Sequence, residues 1–297
     1  MNTSESIQRE KTVRPVHLTQ QPVERIGDLL RKKPGLGDRE LDESLAYHRE
    51  HGVPLGEAAI ALGLASRTDV LEALSQQFRY PLVPAGTIAG TAAIVAATDP
   101  FGAEAETFRE LRTELLANVF GDDTRRALAI VSPQRGDGRS YVASNLAVTF
   151  SQLGRHTLLI DANMRTPAQH RLFGIEQAPG LSSILSGRLE TNVVHQTRDL
   201  PGLFLLAAGP VPPNPVELLQ QDGFHFLVQE MLERFEYVII DTPATRQGAD
   251  ARVVAAMAGA ALIIGRKDQT RIADLEKTVA SLANGPAKLA GVVVNDY

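Results

Sequence analysis

Apolar and polar positions change rhythm near Ala103. Beyond it, short apolar runs alternate with longer stretches of helical pattern: "ALAIVS" from Ala127, "TLLIDA" from Thr157, "LFLLAAG" from Leu203, "YVIIDTP" from Tyr237, "AALIIGR" from Ala260 and "LAGVVVND" from Leu289. Helices are expected from Ser140, from Asn214, across Ala249 to Ala258 and across Ile272 to Ala283. Strands of this kind, bounded by turns and separated by helices, imply a parallel sheet covered on both faces. The fold class predicted is a doubly wound α/β domain, whose ligand lies at the carboxyl ends of the strands.

The N-terminal part follows a different pattern and repeats itself. When Arg25–His48 is set over Pro54–Gln77 without a gap, Ile26 falls on Leu55, Gly27 on Gly56, Leu30 on Ala59, Leu41 on Val70 and Leu45 on Leu74. Each copy predicts a short helix, a turn at "PGLGD" or "GLASRTD", and a second helix capped by Asp38 or Ser66. Residues 1–22 are polar without period and are expected to be a mobile tail. Residues 23–82 then form a tandem helical-hairpin module. The Gly-, Ala-, Thr- and Pro-rich stretch over 83–103 is expected to link it to a domain over 104–297.

Composition narrows the chemistry. A chain of 297 residues is long enough for two cores. A formal net charge of -5 gives no reason to expect nucleic acid. With no cysteine, and seven histidines without ligand-like spacing, a bound metal should be a hard ion on oxygen ligands. No apolar run approaches the roughly 20 residues needed to cross a bilayer, and the N-terminus lacks a signal-peptide core. A cytoplasmic protein is the expectation.

The candidate site begins at "SPQRGDGRSYVASNL", from Ser132 to Leu146. A strand runs into a glycine loop and the loop into a helix, the context in which backbone amides wrap phosphate. Gly136, Asp137, Gly138, Arg139, Ser140 and Tyr141 are the expected nucleotide contacts. Lysine is usual where Arg139 stands; arginine keeps the charge, but the exchange is not conservative. Ser140 would place its hydroxyl on Mg²⁺. Asp241 ends one apolar strand and is expected near the Mg²⁺ shell. Asp161 ends another, placed to orient or deprotonate an attacking hydroxyl, or to hold the metal through water.

These residues carry a resemblance. Residues 101–297 resemble the bacterial tyrosine kinases of the exopolysaccharide chain-length-determinant type, deviant P-loop ATPases related to the cell-division and partition ATPases. It rests on the glycine loop, "LLIDANMRTP" as a second Walker A-like motif, "VIIDTPA" as Walker B, and the proline-rich "AAGPVPPNPVELL". "ETFRELR" upstream has Glu106, Arg109 and Arg112 in the spacing of the family's oligomerisation helix. The resemblance implies ATP and Mg²⁺ as cofactors, with catalysis and metal binding falling on Arg139, Ser140, Asp161, Asn163 and Asp241. Two of these depart from the family pattern: Arg139 replaces lysine, and Asn163 replaces a second aspartate and removes a negative charge. The family's terminal tyrosine cluster is reduced to Tyr297, the candidate phosphoacceptor. Tyr80, Tyr141 and Tyr237 read as packing residues.

The resemblance further implies a homo-oligomer and a membrane-anchored polysaccharide co-polymerase whose cytoplasmic tail completes the site, holding the kinase at the inner face of the plasma membrane. The expected function is an ATP-dependent protein-tyrosine autokinase regulating exopolysaccharide chain length or export. The alternative is a catalytically weak ATP-binding switch acting through oligomerisation. A partition-type ATPase is disfavoured by Gln134, where those enzymes carry a signature lysine. The N-terminal repeat resembles the N-terminal domain of type II secretion ATPases. In some of these a tandem motif binds cyclic di-GMP, which would fall here on Arg25, Gly27, Leu55, Gly56 and Gln77; a spacer or interaction module is the other reading.

Overall fold

The structure is a computed structural model that describes residues 24–33, 36–78, 80–83, 93–176, 179–188 and 193–296. The tail expected over 1–22 and the candidate Tyr297 lie outside the described residues. The chain divides into two compact units, residues 1–77 and 78–297.

The first unit holds helices α1 (Ile26–Arg31), α2 (Asp38–His51), α3 (Leu55–Ala61) and α4 (Arg67–Phe78). The repeat in sequence is a repeat in packing. A Cβ added to Gly27 would meet Leu41 at 3.6 Å and Leu55 at 3.7 Å; one added to Gly56 would meet Val70 at 2.5 Å and Ile26 at 3.6 Å. Each glycine thus admits an aliphatic side chain of the second helix in its own hairpin and one from the first helix of the other. Ser66 caps α4 as expected: its Oγ accepts the Asp69 N–H at 3.1 Å while Asp69 Oδ2 accepts the Ser66 N–H at 3.1 Å. Asp38 does not cap α2. It is the first helical residue, and the cap position belongs to Gly37, whose N–H donates to Glu40 Oε2 at 3.0 Å.

The second unit runs α5 (Val95–Thr98), α6 (Ala103–Asn118), β1 (Ala127–Val131), α7 (Arg139–Ser151), β2 (Thr157–Asp161), α8 (Gln169–Leu172), α9 (Leu181–Leu185), β3 (His195–Gln196), β4 (Leu203–Leu206), α10 (Pro215–Gln220), α11 (Asp222–Arg234), β5 (Tyr237–Asp241), α12 (Asp250–Ala258), β6 (Gly259–Arg266), α13 (Ile272–Ala283) and β7 (Lys288–Asn295). The strands form a sheet in the order β3-β4-β2-β5-β1-β6-β7, parallel except for the short β3. Every residue of β1 and β2 is buried. Alternation then separates two cores. Ala127, Ala129 and Val131 pack with residues of α11 and α12; Leu128 and Ile130 pack with residues of α6 and α7.

The stretch expected to be a linker behaves differently over its described part. Ile94, Ala96 and Ala97 are each 1% exposed. Asn145 of α7 accepts the Ala96 N–H at 2.9 Å and donates to Ala93 O at 2.9 Å, and Gln152 Nε2 donates to Ala96 O at 2.8 Å. Small side chains, which read as flexible composition, here let the backbone lie close to α7.

Candidate active site

β2, β5 and β1 are consecutive in the sheet, so the ends expected to carry chemistry lie side by side. Between β1 and α7 the loop turns through Gly136 at φ 89° and Gly138 at φ 100°, conformations open to glycine at little cost. The 13-residue α7 begins there and turns its free N–H groups toward the loop. Asp137, expected among the nucleotide contacts, is 3% exposed and spent on the protein: Oδ2 accepts the Gln134 N–H at 2.7 Å and Oδ1 the Thr270 hydroxyl at 2.7 Å. Asn295 Nδ2 donates to Asp137 O at 3.3 Å, so residues beyond β6 and at the end of β7 both hold the loop.

Asp161 and Asp241 are register partners across β2 and β5, both fully buried. Burial, and then the Asp241 carboxylate, push Asp161 up to about 7. Burial also raises Asp241, against the nearby Ser140 hydroxyl, the charge of Arg139 and the hydrogen bond from Gln169. Asp161 Oδ1 accepts the Asn163 N–H at 3.1 Å, and Oδ2 accepts those of Ala168 and Gln169 at 3.0 Å each. Asp241 is less satisfied: Oδ2 accepts Gln169 Nε2 at 2.8 Å, while Oδ1 is buried without a partner. A buried carboxylate oxygen lacking a donor, beside a second carboxylate and the Ser140 hydroxyl, fits a hard divalent cation. Asp241 and Ser140 would hold it, with Asp161 behind them. Among the described residues no cluster of three or more His, Asp or Glu offers an alternative metal site.

Arg139 also makes contacts within the protein that the sequence did not foresee. It is 6% exposed and donates inward: Nε to Thr242 O at 2.9 Å, Nη1 to Ser132 Oγ and to Gln134 O at 2.5 Å. Burial lowers its pKa, against the pull of Asp241 and Asp137. A guanidinium is long and forked enough to reach three acceptors under the loop. Asn163, 3% exposed, is likewise engaged: Oδ1 accepts the Thr166 N–H at 3.1 Å and Nδ2 donates to Thr166 Oγ1 at 3.2 Å. Arg139 and Asn163 both line a cleft of about 250 Å³, together with Arg135, Gly136, Gly138, Ser140 and Arg171 among others. Tyr141 stands on its wall, its hydroxyl donating to Glu104 and its ring meeting Phe108 edge-on. A larger cavity of about 530 Å³, lined by Ile94, Phe173 and His195, lies away from the strand ends and their carboxylates.

The sequence missed Gln169, which joins Asp241 Oδ2 to Ser140 O (2.8 and 3.1 Å). A lone glutamine on a four-residue helix gives no periodic signal. On α6, Arg109 pairs with Glu106, donates to the Tyr80 hydroxyl at 3.5 Å and lies over the Tyr80 ring. Arg112 Nη1 donates to Thr149 O at 2.7 Å, fastening α6 to α7. Glu106 remains exposed. In the helical unit Gly27 and Gly56 are packing positions, Arg25 is exposed, and Leu55 and Gln77 are half-buried. No helix among the described residues is long and apolar enough to cross a membrane.

No protein-family model matches the chain. It is 34% identical to tyrosine-protein kinase YwqD of Bacillus subtilis (strain 168) over 203 residues, 68% of this chain and 85% of that protein. It is 31% identical to tyrosine-protein kinase ptk of Acinetobacter johnsonii over 64% of this chain but only 26% of that protein, so it spans about a quarter of the longer relative. Among solved structures, the kinase domain of Escherichia coli tyrosine kinase ETK superposes with a TM-score of 0.65 at 28% identity, covering 73% of this chain and 81% of that one. The chimerical protein CapA2B2 gives 0.64 at 30% identity, over 75% and 97%. MinD from Pyrococcus horikoshii OT3, complexed with Mg-ADP, gives 0.51 at 20% identity over 57% and 70%, a likeness of fold alone.

Proposed function

The chain belongs to the bacterial tyrosine-protein kinases, and from that premise we propose that it transfers the γ-phosphoryl group of ATP to tyrosine hydroxyls of its own kind in the control of exopolysaccharide assembly. The observation that carries the reading is the buried pair Asp161 and Asp241, at adjacent strand ends against the glycine loop and Ser140. The tyrosine oxygen attacks phosphorus, the bond to the β,γ-bridging oxygen breaks, and ADP leaves. The tyrosine proton goes to a carboxylate at the strand ends, and Asp161, which burial and the neighbouring Asp241 make more basic than an ordinary aspartate, suits that role. Its Oδ1 accepts a single N–H and keeps a lone pair for the proton. Mg²⁺, held by Asp241 and Ser140, would neutralise phosphate charge. Tyr297 remains the proposed acceptor. By resemblance, a membrane co-polymerase supplies the activating tail and keeps the kinase at the inner membrane face. Oligomerisation would use the face of α6 that carries Glu106, which is exposed and pairs with Arg109, while Arg112 is committed to α7.

One observation favours a second reading, that of an ATP-binding switch with little turnover: Arg139 donates inward where a phosphate-binding lysine is usual. Cyclic di-GMP binding gains no support from Gly27 and Gly56, which packing explains. The two main readings separate on one measurement, phosphotyrosine formed by the purified chain with ATP, Mg²⁺ and the partner tail, beside Asp161→Asn and Asp241→Asn. Phosphotyrosine lost in both variants, with folding intact by circular dichroism, supports the kinase. Tight ATP binding with no phosphotyrosine in the wild type sinks it and leaves the switch.

A further inference from the structure

We infer that Arg139 is a positioning residue that braces the glycine loop from beneath, and that Arg135 and Arg171 supply the positive charge that holds the nucleotide polyphosphate in the cleft. This rests on the ATP-binding reading above and says which residues of this chain perform it. The three acceptors of Arg139 join the floor of the site together: Ser132 follows β1, Thr242 follows β5, and Gln134 lies in the loop itself. A phosphate on the outer side of the loop would recruit Nε and Nη1 only by breaking those bonds and leaving buried carbonyls without a donor. A lysine at this position has its three N–H donors on one terminal nitrogen and lacks the separate Nε–H that reaches Thr242 O.

The charge that the cleft needs is present on its rim. Arg135 is exposed on the loop, and Arg171 is exposed on α8 with Nη2 donating to Pro167 O at 3.1 Å. Both line the cleft, and none of its lining residues is acidic. Arg139 also lines the cleft, but its Nε and Nη1 are already committed beneath the loop. The cleft therefore offers two exposed guanidinium groups, the N-terminus of α7 and the loop amides to a polyanion, and guanidinium forks suit phosphate oxygens. Arg171 belongs to the same short helix as Gln169, which is bonded to Asp241, so one element sets both the polyphosphate contact and the carboxylate.

The test is calorimetric titration of the full chain with ADP and Mg²⁺, with urea unfolding of each ligand-free variant alongside. Arg135→Gln and Arg171→Gln are each expected to weaken binding by about tenfold or more, with an unchanged urea midpoint. Arg139→Lys, although it restores the usual residue, is expected to lower the urea midpoint and weaken binding together. The assignment is overturned if Arg139→Lys binds as well as or better than wild type while the two glutamine variants bind normally. Wild type that binds no Mg·ADP at all would remove the ATP reading itself, and this assignment with it.

Discussion

Asp241 holds one carboxylate oxygen that accepts Gln169 and one that is buried without a donor, beside a second buried carboxylate. In the metal-free protein that arrangement is unfavourable, because a buried oxygen left unsatisfied costs about 1–3 kcal/mol, more when charged. Asp241→Asn removes the charge and keeps an acceptor for Gln169 Nε2. It should raise the thermal midpoint of metal-free protein at pH 8 while abolishing Mg²⁺-dependent nucleotide binding; a lowered midpoint would show that the carboxylate is not strained. Asp161 differs in kind, since its three backbone donors make it the staple of the turn before α8 as well as a candidate base. Activity lost in Asp161→Ala would therefore mix chemistry with collapse of the turn, whereas asparagine retains an acceptor.

At the level of elements, the helical hairpins show how a repeat in sequence becomes a repeat in packing with unequal tolerance. Gly27 and Gly56 are equivalent positions, yet a Cβ on Gly27 would make ordinary contact with Leu41 and Leu55, while one on Gly56 would press on Val70 at 2.5 Å. Gly27→Ala should therefore stabilise α1 by up to about 1 kcal/mol through helix propensity. Gly56→Ala should destabilise the hairpins by about 1–3 kcal/mol through overpacking. Hydrogen-exchange protection across α1–α4 in the full chain reads both, and equal responses would show that the two sites relax alike. The α5 segment makes the complementary point: Asn145 on α7 and Gln152 just after it bond its backbone.

For the whole molecule, the buried acid pair makes stability depend on pH with a definite sign. Asp161 titrates at about 7 when folded, against about 3.9 for an unfolded aspartate. Between those values the folded state holds a proton that the unfolded state releases. The contribution is fully present below about pH 4 and is lost as pH rises through 7. The urea midpoint of metal-free protein should fall from pH 5 to pH 8, and Mg·ADP should flatten the slope; a midpoint that rises over that interval would contradict the assignment of Asp161. Strand order gives this electrostatic coupling its physical basis. Residues 80 positions apart in sequence are register neighbours because β5 inserts between β2 and β1.

Periodicity and turn chemistry were enough to determine the α/β class, the strands from β1 to β7 apart from the two-residue β3, the paired hairpins, and the glycine loop with its following helix. Those are local properties: an apolar run, a glycine pair and a cap residue act on the few residues beside them. The meeting of Asp161 with Asp241 required the strand order, and the orphaned Asp241 oxygen required the packing around it. The inward course of Arg139, the engagement of Asp137 and Asn163, and the place of Gln169 depend on acceptors and donors brought from distant parts of the chain. The identity of arginine at 139 was legible from the start, but its direction was decided by three acceptors that only the folded sheet assembles under one loop.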